Sequence, residues 1–398
     1  MRLRPRLLSL FTAIAAAGLA GLGGVPASAQ TVVDCTAGET IGDAINNGSN
    51  FISFSGTCSE TVFINRDEIF IEGSSGDPTQ DVINGAVQIN GESGIDLEHL
   101  TVRSFVNMQG GGSVRFFDTI LTGGLFVFDS SHAEVFNSQI NGAGDISIFG
   151  NSNLVVADTI IDDLRGGLFI TNGSMAQFDR SPITNTDNGT FVARNGTLRF
   201  RFAFMGPALV DDPDLSCNAI CIVDGAVVRL DGAVVEGSTD EPGIGGAILA
   251  SRNGTLLLRG DVSVTNTGSQ PALAVVNASS ARQDLSGAAA PSTITGGLLV
   301  AGQSFTDIRA AAVNGEVNVQ QHSVLRLGST GFGGDPAGTS ITGATTISQD
   351  SALVAEDPAV TINGSITCLD KQSSLSGPFG GSGKITKCRD FDNNRIRR

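Results

Sequence analysis

The chain has 398 residues with a formal net charge of −16, and it contains 52 glycines, 12 prolines and neither Trp nor Tyr. A surface this acidic repels phosphate groups, so the composition excludes nucleic acids and anionic membranes as partners. The length would ordinarily indicate two globular domains, although a single array of short repeats also reaches it.

The first 29 residues have the pattern of an export signal. A positively charged start precedes an apolar run over residues 7–22, and Ala27-Ser28-Ala29 is a small-x-small cleavage site, so we expect a cut before Gln30. Retention as a membrane anchor is the alternative, but alanine and glycine dilute the apolar run. No other stretch is long and apolar enough to cross a bilayer. The sequence therefore predicts a secreted or periplasmic protein that has no membrane segment after cleavage.

Residues 30–50 are predicted to cap the N-terminal end of the fold. Gly38–Asn46 has the spacing of a short amphipathic helix, with Ile41, Ala44 and Ile45 on one face. A stack of strands needs such a cover, because its open end would otherwise pair with other chains.

Residues 51–388 repeat a short pattern of strands. Alternating apolar residues, a small or polar break and a second apolar run recur about every twenty residues, which is the length of one solenoid coil. Clear copies begin at Ser113, Ala133, Asn153, Met175, Thr197, Val227, Thr255 and Ser323. The alternation gives each strand one inward and one outward face. We predict an all-β fold, a right-handed parallel β-helix (solenoid) with a short N-terminal capping helix, followed by a flexible tail over residues 389–398.

Polar residues at the break between the two runs align as one column. The members are Asp118, Asn137, Asp158 and Asp179. We expect them at corners of the coil, together with the frequent Asn-Gly pairs, since Asn and Gly tolerate the positive φ that tight corners require. A ladder of Asp or Asn before Thr or Ser, with side chains bonded to the neighbouring backbone, would explain the column without any chemistry.

Six cysteines remain after removal of the signal, an even number for an oxidising compartment. Six cysteines allow fifteen pairings, and sequence order favours Cys35–Cys58, Cys217–Cys221 and Cys368–Cys388. The first and last pairs would then tie down the two ends of the solenoid. A zinc site is not favoured, because no His lies near any of these pairs.

Phenylalanine is the only aromatic residue besides three histidines, and thirteen of the 22 phenylalanines lie between Phe105 and Phe204. We expect most of these rings to stack inside the coils, where they would bury a large apolar area. A sugar-binding platform is the alternative. It is less favoured, because such platforms usually offer Trp or Tyr, which have a polar edge.

The start of the repeat carries a family resemblance. A cap helix is followed by the turn Gly56-Thr57-Cys58-Ser59-Glu60 and by alternating apolar residues up to Gly73. This opening is similar to that of secreted right-handed parallel β-helix proteins of the pectin-lyase-like superfamily. The resemblance covers nearly the whole mature chain at the level of fold, and it matches no specific enzyme family. It implies that an enzyme on this fold would act on an acidic polysaccharide.

One hypothesis is a polysaccharide lyase, which would need an arginine beside outward acids. Lyases on this fold, as the resemblance implies, hold Ca²⁺ with outward carboxylates and use Arg or Lys as the base, whose pKa must be lowered for the task. Asp179, Arg180 and Arg199 are the candidates here, near the column of polar residues. We favour the corner ladder over this reading.

A hydrolase reading rests on clustered acids. Hydrolases resembling polygalacturonases show Asn-Thr-Asp and then Asp-Asp, and this chain has Asp187 in Asn185-Thr186-Asp187, followed by Asp211 and Asp212. Their Gly-His-Gly and Arg-Ile-Lys motifs are absent, which puts the reading in doubt. Asp211, Asp212 and Asp214 are also candidate Ca²⁺ ligands, although a full site needs six to eight oxygens.

The sequence therefore favours an exported β-helix that acts as a non-catalytic cell-surface or extracellular scaffold or binding module, with a polysaccharide or a cell-envelope component as its partner. The alternative is a polysaccharide lyase or glycoside hydrolase that acts on acidic polysaccharide. No cofactor is indicated other than the candidate Ca²⁺.

Overall fold

A computed structural model describes residues 30–142, 144–207, 219–237, 246–284, 291–329 and 338–390. The described strands pair in parallel and form three long sheets, which we name A, B and C. Each full coil adds one strand to each sheet in that order, so neighbours in a sheet come from successive coils. The predicted right-handed parallel β-helix is confirmed.

Sheet A has 17 described strands and sheet B has 14. The strands of sheet A are Thr31–Asp34, Phe51–Ser55, Phe70–Gly73, Ile95–Glu98, Ser113–Phe117, His132–Phe136, Asn153–Ala157, Met175–Asp179, Thr197–Arg201, Val227–Asp231, Thr255–Arg259, Ser280–Asp284, Phe305–Arg309, Val324–Gly328, Ala352–Ala355, Ser374–Ser376 and Arg389–Asp390. The strands of sheet B are Thr57–Cys58, Val82–Ile83, Thr101–Val102, Ile120–Leu121, Gln139–Asn141, Ile160–Asp162, Ile183–Thr184, Phe204–Met205, Val234–Gly237, Ser263–Asn266, Ser292–Thr295, Ala311–Asn314, Ser340–Ile341 and Thr361–Ile362.

Sheet C has 15 described strands, and most of them are three residues long. They are Val62–Ile64, Val87–Asn90, Val106–Gln109, Leu125–Val127, Ile146–Ile148, Leu168–Ile170, Thr190–Val192, Ile220–Ile222, Ile248–Ala250, Leu273–Val275, Leu298–Val300, Val317–Val319, Thr345–Ile347, Ile366–Cys368 and Ile385–Thr386. Because each strand is short, a coil turns through three corners within about twenty residues.

The interior is a set of aliphatic rows that run along the solenoid axis. Ile140, Ile161 and Ile183 lie in register on successive coils and are fully buried. Each such side chain contributes about 1.5–3 kcal/mol by leaving water. These rows, repeated in all three sheets, make one continuous core.

The predicted Phe-rich interior is wrong. Among the described phenylalanines only Phe54, Phe116, Phe178 and Phe200 are fully buried, and of these Phe178 and Phe200 touch, with ring centroids 5.3 Å apart. The coil is narrow, and branched aliphatic side chains from three sides already fill it. Most of the other described rings lie on outward strand positions or at corners.

Two hydroxyl ladders hold the corners on either side of sheet A. Between sheets A and B, the backbone N–H of Thr119 donates to Ser138 Oγ (3.0 Å), and Ser138 N–H donates to Thr159 Oγ1 (3.2 Å). Between sheets C and A, Ser131 N–H donates to Ser152 Oγ in the same way (3.2 Å). A buried backbone N–H donor left unpaired at a corner would otherwise reduce the stability of the fold by about 1–3 kcal/mol. The expected ladder is therefore present, and Ser and Thr hydroxyls form it.

The polar column at the corner between sheets A and B differs from the predicted one by a residue. Asp118, Asn137 and Asp158 have φ near +50° and precede the hydroxyl ladder as expected, but the next member is Arg180, with φ of 50°. Asp179 is the last residue of the preceding strand and pairs in register with Ala157. The coils vary in length, from 19 to 22 residues along this ladder. The assumption of equal spacing therefore assigned Asp179 to the column in place of Arg180.

The N-terminal cap is confirmed as a short helix, Ile41–Asn46. Its buried residues are Ile41, Ala44 and Ile45, as predicted. Thr40 accepts from the backbone of Asp43, and the Glu60 carboxylate accepts from the backbone N–H groups of Ile41 (2.6 Å) and Gly42 (3.0 Å). Glu60 thus satisfies donors that a helix start leaves unpaired. No helix in the described ranges is long and apolar enough to cross a membrane.

Disulfides close both ends of the solenoid. Cys35–Cys58 and Cys368–Cys388 are formed as predicted, with Cα atoms 5.0 and 4.9 Å apart. Cys221 is also disulfide-bonded, whereas Cys217 lies outside the described residues. Arg389–Asp390 pairs with Ser374 and Leu375, so the last strand extends into the segment predicted to be a tail.

Candidate functional site

The outer face of sheet A carries a concentration of arginines. Seven of them occupy outward positions on the strands between residues 197 and 328, and we call this set the arginine strip. It consists of Arg199, Arg201, Arg229, Arg259, Arg282, Arg309 and Arg326. The same strands contain three acidic residues, Asp231, Asp284 and Asp307. The strip is therefore locally cationic on a chain whose net charge is −16.

Asp231 holds two members of the strip. Arg199 Nε donates to Asp231 Oδ2 (2.9 Å), and Arg229 Nε donates to both carboxylate oxygens (3.0 Å). The Asp231 side chain is only 12% exposed, whereas those of Arg199 and Arg229 are 36% and 32% exposed. One carboxylate thus orients two guanidinium groups that remain open to solvent.

The far end of the strip has a similar arrangement. Arg309 Nε donates to Asp307 (3.1 Å), and its Nη2 donates to Glu356 (2.9 Å). Arg326 also pairs with Glu356. Acids near both ends of the strip therefore pair with four of its seven arginines.

A second group of charges lies at the corner where sheet A leads into sheet B. Arg180 forms a bidentate salt bridge with Asp158, in which Nε donates to Oδ1 at 2.7 Å and Nη2 donates to Oδ2 at 2.6 Å. Its Nη1 reaches Asp179 at 3.3 Å, and Arg201 reaches the same carboxylate at 3.5 Å. The structure thus brings the predicted residues Asp179 and Arg180 together, and it adds Asp158 and Arg201.

The electrostatics of this corner disfavour a role for Arg180 as a catalytic base. The hydrogen bonds from Arg180 lower the pKa of Asp158. In return, the hydrogen bond and charge of Asp158, together with the charge of Asp179, raise the pKa of Arg180. A lyase base needs the opposite shift, because it must give up its proton before it can accept one from the substrate. The contacts of Arg180 therefore keep its guanidinium group charged.

Phe202 completes the corner and was missed by the sequence reasoning. It occupies the column of Asp158 and Arg180 with φ of 49°, and it is 62% exposed. The Arg201 guanidinium carbon lies 5.6 Å from its ring centroid, within the range of a cation–π contact. The signal was available in the repeat, because Phe202 stands where the four preceding coils have the polar residues Asp118, Asn137, Asp158 and Arg180.

The remaining predicted residues are distributed differently. Arg199 lies on the strip, paired with Asp231. Asp187 lies at the corner between sheets B and C, where its backbone N–H donates to Leu164 (2.8 Å). It therefore does not join Asp179, Arg180 and Arg199 in one site. The candidate hydrolase and Ca²⁺ residues Asp211, Asp212 and Asp214 lie outside the described residues.

No group of three or more His, Cys, Asp or Glu side chains placed to hold a metal occurs within the described ranges. The Ca²⁺ prediction rests on Asp211, Asp212 and Asp214, so it stays a prediction.

Comparison with known proteins identifies no relative: no protein-family model matches the sequence, and neither curated proteins nor solved structures give a match. The resemblance to the pectin-lyase-like superfamily stays a prediction from the sequence.

Proposed function

We propose that this protein is an exported, non-catalytic binding module of the pectin-lyase-like type that holds an acidic polysaccharide along the arginine strip. The observation that carries the proposal is the local reversal of charge, with seven outward arginines against three aspartates on these strands of an acidic chain. Clustered guanidinium groups favour anions, and their planar fork matches a carboxylate.

The repeat of the fold suits a linear polymer. Neighbouring parallel strands lie about 4.8 Å apart. Along each row of the strip, successive arginines are one or two strand spacings apart on the solenoid axis. A polyuronate presents a carboxylate on every sugar and could contact several of these groups at once. Each contact alone is weak, and many contacts on one chain add up to useful affinity.

The internal aspartates do not prevent such binding. Exposed ion pairs contribute only about 0–1 kcal/mol each, so a carboxylate of the ligand can share or replace them. Arg199 and Arg229 use Nε for Asp231, which leaves the outer edge of each guanidinium facing solvent.

Export is supported by the disulfides that close the two ends, because such bonds persist in oxidising compartments. The signal pattern of residues 1–29 supports the same conclusion.

The test is a binding assay on the mature protein, residues 30–398, with polygalacturonate, alginate and the neutral glucan dextran. We expect the two acidic polymers to bind, dextran not to bind, and affinity to fall steeply with added salt. The variant R201Q/R229Q should bind about tenfold more weakly. It leaves Asp179 with Arg180 and Asp231 with Arg199, so no carboxylate loses its last partner.

The matched control is R103Q/R165Q, which removes two exposed arginines away from sheet A and should leave binding unchanged. Equal losses in the two double variants would show that only overall charge matters, and absence of binding by the parent protein would refute the proposal. New double bonds or reducing ends in the polymer would overturn its non-catalytic part and favour the lyase or hydrolase.

A further inference from the structure

Resting on the proposed function, we infer that Phe202 is the residue by which the site distinguishes a sugar chain from any other polyanion, with its exposed ring stacking on the apolar face of a pyranose. The arginine strip recognises charge alone. Phe202 adds recognition of the ring that carries the charge.

The backbone conformation of Phe202 is unfavourable for the fold. A bulky residue with φ near +50° is a conformational outlier, because its Cβ crowds the backbone in the left-handed region. The two following coils have glycine at this corner, Gly232 and Gly260, each with positive φ. Burial of the ring does not compensate for the strained backbone, since the residue is 62% exposed. Strain that packing does not explain is typical of functional positions.

The surroundings suit a sugar that carries a carboxylate. A Cβ built on Gly232 would lie 2.9 Å from the Phe202 ring, so the glycine is what makes room for the ring on the next coil. Arg201 precedes Phe202 in the chain, and Arg180 occupies the same column one coil earlier. An aromatic face with guanidinium groups beside it can hold a pyranose by its C–H face and its carboxylate together.

The test compares two polyanions that differ in having sugar rings: polygalacturonate and poly-L-glutamate. The variant F202G should bind polygalacturonate about three- to tenfold more weakly than the parent protein, with binding of poly-L-glutamate unchanged. Its melting temperature should stay equal or rise, because glycine adopts the corner conformation without strain. A310G, which places glycine at the same corner of another coil with φ of 50°, is the control and should leave both affinities unchanged.

Three results would overturn the inference, and they can be told apart. Unchanged polygalacturonate binding by F202G removes the role of Phe202 and leaves the arginine strip intact. A lower melting temperature with weaker binding of both polymers assigns Phe202 to the fold. Failure of the parent protein to bind polygalacturonate refutes the proposed function, and this inference with it.

Discussion

The outer face of sheet A has two stretches of opposite charge along the solenoid axis. In the coils between residues 70 and 136, the outward acids are Glu72, Asp96, Glu98 and Glu134, and we call this the acidic stretch. Arg115 is its one outward arginine, and it pairs with Asp96 and Glu98 at 3.0 Å each. Between residues 197 and 328 the outer face of sheet A carries the arginine strip.

The rows under these two faces are alike. Ile71 and Leu97 lie beneath the acidic stretch, Leu198 and Leu230 lie beneath the strip, and all four are fully buried. The coil is therefore specified by its inward side chains, while the outward rows can change sign without changing the fold. This separation assigns stability to the interior and, under the proposed function, binding to the surface, and each part of it can be tested.

The largest effect should come from the shared interior. F178A removes a fully buried ring and should lower the free energy of unfolding by about 3–5 kcal/mol. F117A removes an outward, half-buried ring of the same sheet and should cost about 1 kcal/mol or less. Denaturant unfolding of the two variants measures the difference. Equal losses would show that the outer rows also specify the coil.

A smaller effect should come from the carboxylate within the strip. D231N removes the negative charge shared by Arg199 and Arg229 and replaces one of its two acceptor oxygens with an NH2 donor, so the free energy of unfolding should fall by about 1–2 kcal/mol. Polygalacturonate should bind about two- to fivefold more tightly, because two guanidinium groups lose their internal competitor. E134Q in the acidic stretch removes the same charge and should leave affinity unchanged. Weaker binding by D231N would mean that orientation of the arginines matters more than their release.

The smallest effect concerns pH. Arg180 lowers the pKa of Asp158, so the pair stabilises the folded state fully above the ordinary value of 3.8 and less as pH falls through the lowered value. The difference in melting temperature between the parent protein and D158N should therefore be constant from pH 8 to about pH 5 and shrink below pH 3.8. A difference that shrinks already near pH 6 would contradict the assignment to Asp158.

Salt separates this pair from a carboxylate held by neutral groups. The pKa of Asp77 is also lowered, in this case by hydrogen bonds from the uncharged side chains of Gln80 and Thr79. Added salt should raise the pKa of Asp158 toward its ordinary value and leave that of Asp77 almost unchanged, since screening acts between charges. NMR titration of the two carboxyl groups at low and high salt gives the comparison.

The candidate site could be predicted only in part. Asp179, Arg180 and Arg199 were candidates from the sequence, because acids and arginines recur near one break in the repeat. The coil of Arg180 is longer than the three directly before it, so Asp179 was assigned to the wrong column. The exposed corner position of Phe202 was missed, because a phenylalanine in an apolar repeat resembles a core residue until its φ and its exposure are known.

The sequence by itself determined the fold class, the cap helix and the terminal disulfides. These depend on local patterns: period-two alternation, an amphipathic turn and the order of the cysteines. Only the tertiary structure decided which side chains share an outer row, because that depends on hydrogen bonds between strands roughly twenty residues apart. A shift of one residue moves a side chain to another row, and one such shift separates Asp179 from the column of Arg180.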